Sequence, residues 1–171
     1  MKDIMLDLET MGTSSDAAII AVGACWFDVE KKTIGSTFFE VVDLQSSVDA
    51  GLKMDASTVM WWMKQSDEAR GAFDRKGHTL NYVLHKFQQW IGDSAEDAKL
   101  WGNGASFDNA ILSNAYSRAG LIHPWNFWND RCYRTKKADR PDVKMIRSGT
   151  HHNALDDAMS QAEHLIDIYN T

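Results

Sequence analysis

The stretch Asp3-Ile4-Met5-Leu6-Asp7-Leu8-Glu9-Thr10 decides how the rest of the chain is read. Ile4, Leu6 and Leu8 alternate with Met5, Asp7 and Glu9, and a period of two is that of a β-strand with one face turned into a core. Asp7 and Glu9 then share the other face, their Cα atoms roughly 6.5 Å apart. Carboxylates at that spacing are costly to leave unpaired, and both can reach one cluster of hard cations. A lone D-x-E pair is nonetheless common on solvated strand faces and decides nothing by itself.

The sequence around this strand predicts a sheet with helices on its faces. Residues 11–17 form a short polar turn, residues 18–27 read as a largely buried second strand, and residues 33–42 as a third, giving an antiparallel meander. Ser57 is the expected N-cap of a helix over 58–65, Asp67 opens another, and Thr79 caps a third. In that third helix Leu80, Val83, Leu84, Phe87 and Ile91 make a single apolar stripe. Residues 99–102 form a short strand cut off by Asn103-Gly104. Ser106 is the expected N-cap of a helix to about residue 119, closed by Gly120 and followed by Pro124. Residues 125–129 are expected as a final strand, and residues 153–169 as a helix burying Ala154, Ala158, Ala162, Leu165, Ile166 and Tyr169. The order predicts an α/β fold with a mixed sheet flanked by helices. A length of 171 residues suits one domain spanning 1–171.

Composition excludes several classes. Hydrophobic residues at 44% and charged residues at 25% are ordinary for a water-soluble chain, and no apolar run approaches the ~20 residues of a membrane span. The N-terminus shows no signal-peptide pattern, so a cytoplasmic protein without a membrane partner is expected. Cys25 and Cys132 lie far apart and outside metal-ligand spacings, which predicts neither a zinc site nor a disulfide. The net charge of −6 argues against a general DNA-coating protein. Yet residues 131–147 carry about +5, which leaves about −11 on the remainder. A basic segment on an acidic body suits an enzyme that grips a phosphate chain at one place, although such runs are often plain solvated faces.

Two further acidic motifs follow the first. Asn103-Gly104-Ala105-Ser106-Phe107-Asp108 puts an acid in the first turn of a helix after a strand and a turn. Helix N-termini favour acids in any protein, but in open α/β sheets this is also where ligand-facing residues gather. Near the end comes His151-His152-Asn153-Ala154-Leu155-Asp156-Asp157-Ala158. A helix starting near Asn153 leaves His152 in the preceding loop and projects Asp157 from the second turn, with Asp156 about 100° away.

Taken in order, D-x-E-T, N-x-x-x-F-D and H-x-A-L-x-D-A resemble the three motifs of the DEDDh (DnaQ-like) 3′→5′ exonucleases. Asp7 and Glu9 stand at the first motif, Asp108 at the second, and His152 and Asp157 at the third. The family places its histidine five residues before the last aspartate, which selects His152 and Asp157 over His151 and Asp156. The D-L-E-T-M-G start and the Trp-Trp segment look closest to a bacterial and phage branch, whose members are described as exodeoxyribonucleases or exoribonucleases.

The resemblance implies a ribonuclease H-like fold with a five-stranded mixed sheet, three strands antiparallel and two parallel. It implies hydrolysis of single-stranded DNA or RNA from the 3′ end to 5′-mononucleotides. It also implies two divalent ions, Mg²⁺ or Mn²⁺, held by Asp7, Glu9, Asp108 and Asp157, with His152 taking a proton from the attacking water. Oxygen-only ligands select such hard ions over zinc. Met11 resembles the residue that family members wedge against the terminal sugar, and Thr10, Asn103 and Phe107 lie within the motifs. Arg131 and Arg134 are candidates for phosphate contacts. Adjacent Trp61 and Trp62 cannot share one helix face. One is expected in the core and the other near the site, where it could stack on a base, with Trp62 the candidate; burial of both, or a homodimer contact, is the alternative.

Overall fold

The computed structural model describes residues 1–71, 73 and 75–171. Strand β1 (Asp3–Thr10) lies at the centre of a five-stranded sheet. It pairs antiparallel with β2 (Ile19–Asp28), which pairs antiparallel with β3 (Thr33–Val41). On its other side β1 runs parallel to β4 (Lys99–Gly102), which runs parallel to β5 (Asp130–Cys132), so the spatial order is β3-β2-β1-β4-β5. This is the mixed ribonuclease H-like sheet that the three motifs imply.

Both faces of β1 are covered, unlike the half-solvated strand its alternation predicts. Ile4, Leu6 and Leu8 pack into one core with α4 (Leu80–Ile91) and α5 (Asp108–Arg118). Met5 packs into a second core with Cys25, Phe27 and the apolar side of α7 (Ala154–Asn170). The apolar stripe of α4 is buried as its spacing predicts, and Thr79 accepts the N–H of Tyr82 at 3.4 Å as its cap. In α7, Ala154, Ala158, Ala162, Leu165 and Ile166 are buried, but Tyr169 is 48% exposed because the helix outruns the core it covers.

Several local expectations are corrected. Residues 125–129 form no strand: Phe127–Asn129 is a single 3₁₀ turn, and the fifth strand follows at Asp130–Cys132, too short to show any alternation. Helix α1 (Leu44–Asp49), capped by the Asp43 carboxylate, carries no apolar repeat long enough to reveal it. Helix α2 (Ala56–Trp62) has Asp55 rather than Ser57 at its N-cap, and that carboxylate takes the N–H of Thr13 at 3.0 Å instead of capping. Ser66 caps α3 (Asp67–Arg70). Helix α5 begins one residue beyond the reach of Ser106, since the N–H groups of Phe107 and Asp108 both turn back to the carbonyl of Gly104. Helix α6 (Tyr133–Asp139) carries part of the basic segment. Among the described residues, no helix is long and apolar enough to cross a membrane.

Two glycines bring the helices to the acids. Gly23 lies opposite Asp7 in the β1–β2 register, and a Cβ there would fall inside the backbone of Ala154 and Leu155. Only glycine lets the start of α7 sit directly on the sheet at that level. Gly102 does the same at the end of β4, where a Cβ would run into Asn109 and Asp108 at the start of α5. The second and third motifs are thereby packed against the first.

Candidate active site

Asp7, Glu9 and Asp157 each offer a carboxylate oxygen, all within 4.8 Å of one another. They stand in a cavity of about 470 Å³ whose walls include Thr10, Trp61, Asn103, Phe107, Arg147 and His152. Asp7 and Glu9 project from the face of β1 that meets α7, and Asp157 comes from the first turn of that helix. Asp108, 2% exposed, is set back beneath the strand. Its Oδ1 accepts the N–H of Leu8 at 3.1 Å, while its Oδ2 has no partner among the described residues.

Burial and mutual repulsion oppose ionisation here. Burial raises the Asp7 carboxyl well above its usual range, the charges of Asp108, Glu9 and Asp157 add to the effect, and a hydrogen bond from Gln161 partly offsets it. Glu9 is pushed up to about 8 by burial, then by Asp157 and Asp108. Asp108 is pushed up to about 7 by burial, against the N–H groups of Leu8 and Asn103 that favour its anion. Buried carboxyls that repel one another and contribute only oxygen suit a hard divalent cation. The unpartnered Oδ2 of Asp108 is a further acceptor for such an ion or its water.

The side of the cavity carrying His152 is built differently. His152 has φ 64°, a left-handed conformation rarely used by residues with a Cβ and somewhat more often by histidine. The N–H of His152 donates to Asp157 Oδ2 at 3.0 Å, which ties this backbone to the acid cluster. Its ring meets Trp61 edge-on at 5.0 Å and His151 at 3.8 Å. Burial, reinforced by His151, lowers the pKa of the His152 imidazole, and Asp157 works against that shift.

Sequence reasoning did not single out Gln161 or Arg147, and of the tryptophan pair it named Trp62 as the candidate near the site. Gln161 donates to Asp7 Oδ1 at 2.8 Å. It lies four residues after Asp157 on α7, so helical spacing alone places it on the same face. Arg147 forms an ion pair with Asp157; its loop position gives no periodic signal. Trp61, 42% exposed, is the tryptophan that opens to the cavity. Trp62 also borders the cavity but is buried, its indole N–H donating to the carbonyl of Thr10 at 2.9 Å.

Thr10, Asn103 and Phe107 line the cavity, and Arg134 sits beside it, donating to the carbonyl of Asn103 at 2.7 Å. Two candidates are placed elsewhere. Met11 is 7% exposed and packs in the core with Leu8, because a register shift between Glu9 and Thr10 breaks the alternation that would have kept it beside the acids. Arg131 donates to the carbonyls of Trp128 and Asp130 at 3.0 and 2.9 Å and lines neither this cavity nor the basic one beside it.

Known proteins share this architecture. An exodeoxyribonuclease of Enterobacteria phage T4 is 30% identical over 161 residues, covering 80% of this chain and 70% of that protein. The nuclease domain of 3′hExo, a DEDDh family member solved with rAMP, superposes with a TM-score of 0.64 at 16% identity, over 98% of this chain and 91% of that one. E. coli exonuclease I in complex with a dA16 oligonucleotide gives a TM-score of 0.63 at 14% identity, over 96% of this chain and 40% of the larger enzyme. By class, then, the chain has the fold of, and is, a DEDDh 3′→5′ exonuclease, an enzyme class that uses divalent metal ions. More narrowly, residues 2–169 match the family model described as the 3′-5′ exoribonuclease Rv2179c-like domain, and the chain belongs to that family.

Proposed function

We propose that this chain, as a single catalytic domain, removes nucleotides one at a time from the 3′ end of single-stranded DNA or RNA, releasing 5′-mononucleotides with two divalent ions, Mg²⁺ or Mn²⁺. The observation that carries this reading is the convergence of Asp7, Glu9 and Asp157 within 4.8 Å in a cavity that also presents His152. Asp7, Glu9 and Asp157 would hold one ion, and Asp7 with Asp108 the other. Bound there, the ions supply Lewis-acid activation of water and neutralise charge on the leaving 3′-oxygen.

The chain's own residues do the rest. Gln161 fixes the Asp7 carboxylate through its 2.8 Å hydrogen bond. His152 takes the proton of the attacking water; burial favours its neutral form, the one able to accept a proton. Trp61, Leu8 and Phe107 give the terminal base apolar surface on which to stack, a contact that serves every base. Arg147 pairs with Asp157 and, with an ion held by that carboxylate, would be available to the scissile phosphate. The free thiols of Cys25 and Cys132 fit a reducing cytoplasm.

The test uses 5′-labelled linear and circular single strands, DNA and RNA separately, with Mg²⁺ or with EDTA. Stepwise shortening of linear strands from the 3′ end, only with metal, is expected. Cuts in circles, or turnover in EDTA, would contradict the reading.

A further inference from the structure

Beside the acidic cavity lies a second one, of about 790 Å³, that the hydrolytic step leaves unused. The two adjoin across Asn103 and Arg147, which line both. Arg134 and Lys137 from α6 and Lys144 and Arg147 from the following segment face the second cavity, and among the described residues no acid lines it. Of the two acids between them in sequence, Asp139 and Asp142, neither lines the cavity, and Asp142 is taken by Arg140, which donates to it at 3.1 and 2.8 Å. Lys137 and Lys144 form no ion pair among the described residues. Lys144 donates to the carbonyl of Pro141 at 2.7 Å, a neutral partner, and Asp142 feels its charge only weakly, after that of Arg140.

The groove is also held in shape. Buried His164 accepts the Tyr133 hydroxyl at Nδ1, 2.7 Å away, and donates from Nε2 to the carbonyl of Val143 at 2.9 Å. This pins the segment bearing Lys144 to α7. Cations gathered in a fixed, acid-free groove repel one another, and a polyanion relieves that repulsion. Arg134, Lys137 and Lys144 lining a groove that adjoins the acidic cavity suit a strand carrying a charge at every unit better than they suit a single anion.

We propose that this groove carries the sugar-phosphate backbone of the strand upstream of the terminal nucleotide, gripping it by charge without reading its bases. The inference rests on the exonuclease reading of the adjoining cavity. It makes substrate length matter: a dinucleotide ends before Lys137 and Lys144, and a longer strand engages both.

Steady-state kinetics on a dinucleotide and on a single-stranded dodecamer, over a range of salt, test it with the full chain. In Lys137→Ala/Lys144→Ala the dodecamer KM rises about tenfold at low salt with kcat unchanged. The salt slope of its log kcat/KM flattens by about 1.4, or ~0.7 for each lost phosphate contact on a single strand. The dinucleotide KM stays within twofold of wild type. Lys31→Ala/Lys32→Ala, which removes the same charge from the turn at the opposite end of β1, leaves the dodecamer slope intact. A Lys137→Ala/Lys144→Ala variant with wild-type dodecamer KM and slope overturns the groove alone. Wild-type protein that cleaves neither substrate overturns the exonuclease reading and the groove with it.

Discussion

Asp7 and Glu9 stand on the central strand of the sheet, whereas Arg147, His151 and His152 stand on a segment, residues 140–153, that has no helix or strand of its own. The position of the acids follows from backbone registers: Asp7 opposite Gly23, with α7 set down on that glycine. The position of the histidine segment follows from side chains of α7. Asp156 accepts the N–H of Thr150 at 2.8 Å, Ser160 accepts the N–H of Ser148 at 3.1 Å, and His164 donates to Val143 at 2.9 Å. Residues 156, 160 and 164 recur every four positions, a polar stripe beside the apolar one. On the proposed reading, one helix completes the metal site with its first turn and tethers the proton acceptor with the stripe behind it. Such a division suits catalysis, in which charge must be held in place while a base adjusts to substrate.

The sharpest break between the two regions comes from removing one charge from the strand. Asp7→Asn keeps an oxygen for Gln161 and is expected to reduce turnover to background in a 3′-end release assay, while the folded protein persists by circular dichroism. In the metal-free state the variant is expected to melt above wild type at pH 8, since a repelling carboxyl has been neutralised. On the histidine segment, His152→Ala is expected to lower kcat by about 10²–10⁴-fold, the usual contribution of a positioned base. His151→Ala should change it less than severalfold. A reversed result would move the base by one residue.

Stability against pH separates the regions without any substrate. Glu9 and Asp108, raised to about 8 and 7, and Asp7, raised as well, bind more protons in the folded chain than in the unfolded one between their ordinary range and these values. Their contribution to metal-free stability is therefore fully present below about pH 4 and falls as pH rises toward 8, by about 1.4 kcal/mol per pH unit for each carboxyl still protonated in the folded chain. Saturating Mn²⁺ should oppose the trend, because the ionised form is the one that binds. Urea melts at pH 5, 6.5 and 8 measure both slopes. A modest effect is expected from Asp156→Asn, which weakens the hold on Thr150: about 1 kcal/mol of stability and a severalfold loss in kcat, with metal affinity unchanged.

Much of the strand region was legible in the sequence because it obeys local periods. The alternation of β1 gave the acids a shared face, and the stripe Leu80 to Ile91 gave α4 its buried side. Motif order then linked Asp108 and Asp157 to the strand. What escaped depends on tertiary geometry. A bulge after Glu9 turned Met11 inward, nearby carbonyls captured Arg131, and a three-residue β5 had too few positions to announce itself. Arg147 reaches Asp157 from a loop whose path is set by α7, which no spacing within the loop encodes. Gln161 was the exception, since it sits one helical turn beyond Asp157.

Among the described residues, two groups of side chains compete for a metal ion, Asp7 with Glu9 and Asp157 in the strand region, or His151 with His152 and Asp157 on the histidine segment. Anomalous diffraction from crystals soaked in Mn²⁺ distinguishes them directly. Manganese peaks among Asp7, Glu9 and Asp157, with the His152 ring outside the coordination sphere, are the predicted result. A peak bound by the imidazoles of His151 and His152, with Asp7 and Glu9 unligated, would contradict the assignment of metal to the strand and proton transfer to the segment.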